Sequence, residues 1–116
     1  MADDSIELNP ESMAAARELI ADGKVDRDAD WSPAEPTAES ENDFIDREGW
    51  AAYARWHLGI RRDANAETKR AYSFPYGNFR DVYRSGVIAA EARAGEYHHA
   101  DVERGARELL SLIDET

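Results

Sequence analysis

Large aliphatic and phenylalanine side chains are scarce in this chain, and their scarcity limits what it can fold into. Leucine, isoleucine, valine and phenylalanine together provide 19 of the 116 residues, and chains with so few of them and a high net charge are often disordered. Twenty alanines and 11 aromatic residues offset the deficit, because alanine favours helices and aromatic rings bury large areas. We therefore expect a small helical domain rich in alanine.

The net charge of −11 is concentrated at one end of the chain. Residues 1–48 contain 15 acidic and four basic residues, whereas residues 49–116 contain ten of each. The neutral part also holds most of the large apolar side chains. The sequence therefore predicts an acidic, partly flexible N-terminal arm over residues 1–30 and a helical core domain over residues 31–116. The arm is expected to hold one short helix, at about residues 10–22.

Apolar residues at helical spacing predict the remaining helices. These helices are expected over residues 38–48, 50–58, 79–96 and 100–114. Thr37 is a suitable N-cap for the first of them. No stretch alternates apolar and polar residues as a half-buried strand would. The sequence thus predicts an all-α fold, a small bundle of four or five short helices.

A basic and aromatic block precedes the helix expected over residues 79–96. It reads Arg70-Ala71-Tyr72-Ser73-Phe74-Pro75-Tyr76-Gly77-Asn78-Phe79. The block resembles a pattern in a family of small prokaryotic proteins, in which Asp stands where this chain has Asn78. The resemblance covers about residues 30–113, including Trp31, and implies one compact unit. It implies no activity, because none is established for that family.

Several kinds of chemistry are excluded by what the chain lacks. The absence of cysteine removes disulfides, thiolate metal sites and cysteine nucleophiles. The sequence contains no glycine-rich phosphate loop and no nucleophile elbow. It also contains no apolar run long enough to span a bilayer and no signal-peptide pattern. We expect a cytoplasmic protein with no cofactor and no membrane association.

Three neighbouring residues are candidate metal ligands, because imidazole and carboxylate groups bind zinc and nickel. They are His98, His99 and Asp101. Adjacent histidines point in different directions, so such a site would need His57 or a carboxylate from elsewhere in the chain. The favoured alternative is an exposed turn between two helices. A small metal-dependent enzyme using His57, His98 and His99 is the weakest of the functional hypotheses.

A basic and aromatic surface is the strongest functional candidate. Cationic side chains interleaved with aromatic rings bind phosphate backbones in many proteins. The candidate residues are Arg61, Arg62, Arg70, Tyr72, Tyr76, Arg80 and Arg84. In the competing interpretation, the rings belong to the core and the arginines pair with the acidic N-terminal residues.

These patterns favour a small non-enzymatic interaction or adaptor protein that binds a macromolecular partner through the basic and aromatic helical surface. A protein partner is expected, and a homodimer is a further alternative because so short a chain buries a limited core. The net charge disfavours nucleic acid. The second hypothesis is nevertheless a nucleic-acid-associated regulator, autoinhibited by the acidic N-terminal arm until a polyanion displaces it.

Overall fold

The computed structural model describes residues 5–116, which form six α-helices and five short β-strands. The strands are β1 (Ile6–Leu8), β2 (Val25–Asp26), β3 (His57–Arg61), β4 (Tyr72–Pro75) and β5 (Val82–Tyr83). The helices are α1 (Pro10–Ala21), α2 (Trp31–Ala34), α3 (Ala38–Glu48), α4 (Trp50–Ala54), α5 (Arg84–Glu96) and α6 (Ala100–Glu115). A 3₁₀ turn over Lys69–Ala71 leads into β4.

The five strands form two small sheets. In the three-stranded sheet, β3 is the central strand and pairs antiparallel with both β1 and β4. Gly59 of β3 lies opposite Leu8 on one side and opposite Ser73 on the other. In the second sheet, β2 runs parallel to β5, with Val25 opposite Val82. Among the described residues β4 therefore pairs on one side only and is an edge strand.

The predicted all-α fold is wrong: the chain is a mixed α/β domain and not a helical bundle. Strand β3 begins within the helix predicted over residues 50–58, because α4 ends at Ala54. Gly59 lies inside this strand, where an added Cβ would be 2.7 Å from Cδ2 of Phe74. The glycine that suggested a helix end instead lets an aromatic ring lie against the backbone of the strand.

The acidic N-terminal segment packs as part of the domain. Strand β1 pairs with β3, and α1 places Met13, Ala16 and Ile20 in the main hydrophobic core. The described residues of the predicted arm therefore share one core with residues beyond the proposed boundary at residue 30. Residues 1–4 of the predicted arm lie outside the described residues.

The local helix signals are more accurate than the fold class. The helices predicted over residues 10–22, 38–48 and 100–114 are confirmed to within one residue at each end. The helix predicted over residues 79–96 begins only at Arg84, because β5 occupies the two preceding positions. A capping side chain directly precedes α1 and α3, namely Asn9 and Thr37. Such caps can be recognised from the sequence alone.

Helices α5 and α6 make the most extensive contact between any two elements. Ala90 and Ala94 of α5 and Ala106 of α6 are buried, and such small side chains allow close approach. Gly105 of α6 leaves room for the side chain of Leu8, since an added Cβ would be 3.0 Å from Leu8 Cδ1. This packing ties the helix pair to β1.

Asn9 joins the N-terminal elements to the junction of α4 and β3. It is 1% exposed. Its backbone N–H donates to the Leu58 carbonyl oxygen at 2.8 Å, and its side-chain Nδ2 donates to the carbonyl oxygens of Ala54 at 3.0 Å and His57 at 3.3 Å. Its Oδ1 accepts the backbone N–H of Glu11 at 3.2 Å, which caps α1. One buried amide thus serves a helix cap and two distant carbonyl groups.

We predict that Asn9→Asp destabilises the protein by roughly 3 kcal/mol, because it removes a buried donor and places a carboxylate against two carbonyl oxygens. The matched control is Thr37→Ala, which removes the exposed cap of the Ser40 N–H on α3 and should cost about 1 kcal/mol. Urea unfolding of both variants at pH 7 measures the difference. An Asn9→Asp variant no less stable than Thr37→Ala would contradict this role.

Candidate functional site

A cleft of about 570 Å³ opens between edge strand β4 and helix α5, within the range of ~300–1,000 Å³ typical of ligand sites. We call it the β4–α5 cleft. Ser73, Phe74 and Pro75 line its strand side. Ala89 and Tyr97 line its helix side, and Trp31 of α2 and Ile6 of β1 also contribute to the lining.

Phe74 shapes the cleft through an unusual backbone conformation. Its φ is +62°, a region that bulky side chains rarely adopt and that costs roughly 1–3 kcal/mol. Its ring lies against Gly59 and edge-on to the imidazole of His99, with ring centroids 5.7 Å apart and an interplanar angle of 71°. The surrounding packing therefore holds an aromatic ring in a strained position on the cleft surface.

The polar side chains of the cleft are mainly basic. Arg93 is exposed, and its guanidinium makes no hydrogen bond or ion pair with any of residues 5–116. His99 is 8% exposed, and its ring likewise has no hydrogen bond in that part of the chain. Arg61 also lines the cleft and donates to the Ser5 hydroxyl oxygen at 3.1 Å. Glu35 is the acidic side chain of the lining, which thus holds two arginines and one carboxylate.

Two arginines of the predicted surface are held in ion pairs. Arg62 pairs with Glu7 of the N-terminal segment. Arg84 forms a two-point contact with Asp114, with nitrogen–oxygen distances of 2.8 and 3.2 Å. The competing interpretation, in which the arginines pair with N-terminal acids, describes Arg62 but not Arg84.

The other predicted surface residues occupy several environments. Arg61 lines the β4–α5 cleft, whereas Arg70 and Arg80 are exposed and make no ion pair within residues 5–116. Tyr72 is half-buried, and its hydroxyl donates to the Ala66 carbonyl oxygen at 2.7 Å.

Tyr76 belongs to the core. It is fully buried, its ring stacks on Trp56 with centroids 5.4 Å apart, and its hydroxyl donates to the Arg55 carbonyl oxygen at 2.7 Å. Burial raises the pKa of this hydroxyl above its ordinary value. Tyr76 is therefore inaccessible to a partner in this conformation.

The predicted metal ligands have other contacts. His98 lies in an exposed turn with a φ of +65°, and His99 faces the cleft. The carboxylate of Asp101 accepts the backbone N–H of Leu8 and of Val102, each at 2.8 Å. Residues 5–116 contain no group of three or more histidine, aspartate and glutamate side chains placed to hold a metal ion.

His57 is buried in an aromatic cluster and does not line the cleft. Its Nδ1 lies 2.8 Å from the Tyr53 carbonyl oxygen, so Nδ1–H is the donor. The Tyr53 hydroxyl donates to Glu41 at 3.0 Å, and Glu41 also pairs with Lys69 at 3.2 Å. Burial lowers the pKa of His57 to about 4. This imidazole is neutral at pH 7 and only 3% exposed, which suits an internal structural role.

Sequence reasoning missed Arg93 and Tyr97, which line the helix side of the cleft. Arg93 lies in the last turn of α5 and Tyr97 directly follows the helix, one turn later, and Tyr97 is 51% exposed. An aromatic residue at a predicted helix end, one turn after an arginine, was the available signal. This signal was hidden because Tyr97 also continued the apolar spacing of the predicted helix and was therefore interpreted as a core residue.

Comparison of the chain with protein-family models, with curated proteins and with solved structures gives no match. The resemblance to small prokaryotic proteins therefore stays a prediction. In the part of the chain that the structure describes, no helix has the length and apolar character needed to cross a bilayer.

We predict that His57 makes stability depend on pH. Below pH 6.5 the imidazole of the unfolded chain takes up a proton, whereas the folded protein resists protonation until about pH 4. Stability therefore falls with decreasing pH across this window, and the His57 contribution between pH 7 and pH 4.5 is about 2–3 kcal/mol.

Urea unfolding of the wild type and of His57→Gln from pH 7 to pH 4.5 tests this expectation. The variant should be less stable at pH 7, with a flatter pH profile. His98→Asn is the control, since His98 is exposed and asparagine tolerates positive φ. Parallel profiles for the wild type and His57→Gln would refute the assignment.

Proposed function

We propose that this protein is a non-enzymatic adaptor that binds a short segment of another protein in the β4–α5 cleft. The observation that carries the proposal is the chemistry of the lining. Aromatic rings of Trp31, Phe74 and Tyr97 share the cleft with Arg93, whose guanidinium has no partner among residues 5–116. Exposed aromatic and arginine side chains are the types enriched at protein interfaces.

The surface next to the cleft supports a macromolecular partner. Ile88 is 41% exposed and Tyr97 is 51% exposed, and both lie on or directly after α5. Tyr97 also lines the cleft, whereas Ile88 lies on a different face of α5 from Ala89, because successive helical residues point in different directions. A polypeptide segment can bury the exposed ring of Tyr97 together with the cleft.

Two observations count against the nucleic-acid hypothesis. Arg62 and Arg84 are already paired with carboxylates. Release of the acidic arm would also separate β1 from β3 and withdraw Met13 and Ile20 from the core. The proposed autoinhibition would therefore require partial unfolding, which makes a protein partner the better-supported choice.

The test is selection of random twelve-residue peptides on phage against the purified protein, followed by calorimetry with the synthetic peptides. Ala89→Trp places a large side chain in the cleft, whereas Ala92→Trp places the same side chain on the exposed surface of the same helix. We expect Ala89→Trp to weaken binding at least tenfold, a change of about 1.4 kcal/mol. Ala92→Trp should change it less than twofold.

Three outcomes would overturn the proposal. One is a selection without enrichment, and another is a set of peptides that bind both tryptophan variants equally. The third is a wild-type protein that sediments as a dimer which Ala89→Trp dissociates, because the cleft would then be filled by a second copy. Salt-sensitive binding of single-stranded DNA, without peptide binding, would instead favour the nucleic-acid hypothesis.

A further inference from the structure

We infer that the bound segment presents an aspartate or glutamate side chain to Arg93 and His99, beside an apolar or aromatic residue. This inference rests on the proposed function and specifies the chemistry of the partner. It starts from His99, which is 8% exposed, lines the cleft and has no side-chain hydrogen bond within residues 5–116.

The ring nitrogens of His99 have no hydrogen-bond partner among residues 5–116, and neither is a fully buried atom, so they are open to the cleft. A neutral imidazole carries one N–H donor, which water or a bound ligand can satisfy. Here Phe74 holds the ring edge-on and leaves it facing the cleft. The geometry assigns the missing acceptor to whatever fills the cleft.

Arg93 identifies the acceptor as anionic. Its guanidinium lines the same cleft as His99 and is the more exposed of the two groups. Arginine forms two parallel hydrogen bonds with a carboxylate, and these charge-assisted bonds are roughly twice as strong as neutral ones. A carboxylate can accept from the guanidinium through one oxygen and from the imidazole through the other.

The charge of the lining supports an acidic partner over a basic one. Arg93 is the guanidinium of the lining that makes no ion pair with residues 5–116, and Glu35, the carboxylate of the lining, is exposed. The protein as a whole carries −11, so a cleft arginine without an ion pair among these residues differs from the acidic character of the chain. Charge complementarity of this kind sets specificity more than affinity.

The aromatic residues of the cleft lining indicate which residue should lie next to the carboxylate in the bound segment. Trp31 and Phe74 present rings to the cleft, and Trp31 is held in place against Gly86, where an added Cβ would be 2.8 Å from Trp31 Cε3. Rings fixed in this way offer apolar area at little entropic cost. An apolar or aromatic side chain next to the carboxylate would fill this part of the cleft.

The experiment uses synthetic nine-residue peptides with a central tryptophan, phenylalanine or alanine, each followed by aspartate, glutamate, asparagine or glutamine. Fluorescence anisotropy measures their affinities for the full chain. We expect the acidic peptides to bind at least tenfold more tightly than the amide peptides, and the aromatic ones more tightly than those with alanine.

Variants of the chain identify the groups that recognise the carboxylate. Arg93→Gln should reduce the ratio of acid to amide affinity below threefold. Arg104→Gln should leave the ratio unchanged, because Arg104 is exposed on α6 and outside the cleft. His99→Phe keeps a ring beside Phe74 and removes the donor, and should lower the ratio at least threefold. A structural role for either residue would shift both affinities together and leave the ratio constant.

The outcomes separate this inference from the proposed function. If amide peptides bind as tightly as acidic ones and Ala89→Trp still blocks both, the inference fails and the adaptor proposal stands. If no peptide binds, the adaptor proposal itself fails. Phenylacetate serves as a small carboxylate probe, and tighter binding of phenylacetate than of any peptide would overturn the assignment of a polypeptide segment.

Discussion

The buried side-chain amide of Asn9 is the interaction on which the architecture depends. One group caps α1 and also donates to the carbonyl oxygens of Ala54 and His57, where α4 gives way to β3. These carbonyl groups lie where the backbone changes from helix to strand, so their usual partners within a helix are lost. By satisfying them, Asn9 fixes the N-terminal segment against the central strand. The position of β1 in the three-stranded sheet depends on this attachment, and β4 of the same sheet forms the strand side of the cleft.

The basic and aromatic block illustrates how a conspicuous motif can serve the framework rather than the site. Tyr76 is in the core, and Gly77 leaves no room for a Cβ, which would lie 2.4 Å from a backbone oxygen. Asn78 accepts two backbone N–H groups in the following turn, and Phe79 stacks on another ring at 4.2 Å. Phe74 is the aromatic side chain of the block that lines the cleft. Most of the block therefore belongs to the core and to the turn before β5, and its one aromatic ring in the cleft is that of Phe74.

The sequence predicted what is encoded locally. The ends of α1 and α3 follow from Asn9 and Thr37, whose capping side chains lie directly before each helix. The strands could not be predicted in the same way, since they are two to five residues long and show no sustained alternation. Their pairing joins distant segments, so both sheets were missed. The sequence identified Arg61 as a candidate binding residue, and the structure places it in the cleft lining. Arg93 became a candidate only when the position of α5 against β4 was known.

The pairing of β1 has a consequence for how the chain is made. The backbone N–H of Leu8 is bonded to Asp101, and β2 pairs with β5 more than fifty positions later. In a chain synthesised from its N-terminus, the backbone of Leu8 therefore waits for a partner that is made 93 residues later. Residues 1–48, which include β1 and α1, hold 15 acidic and four basic residues, and like charges keep such nascent segments apart. We expect this repulsion to oppose aggregation before folding, when an unpaired strand is most liable to aggregate.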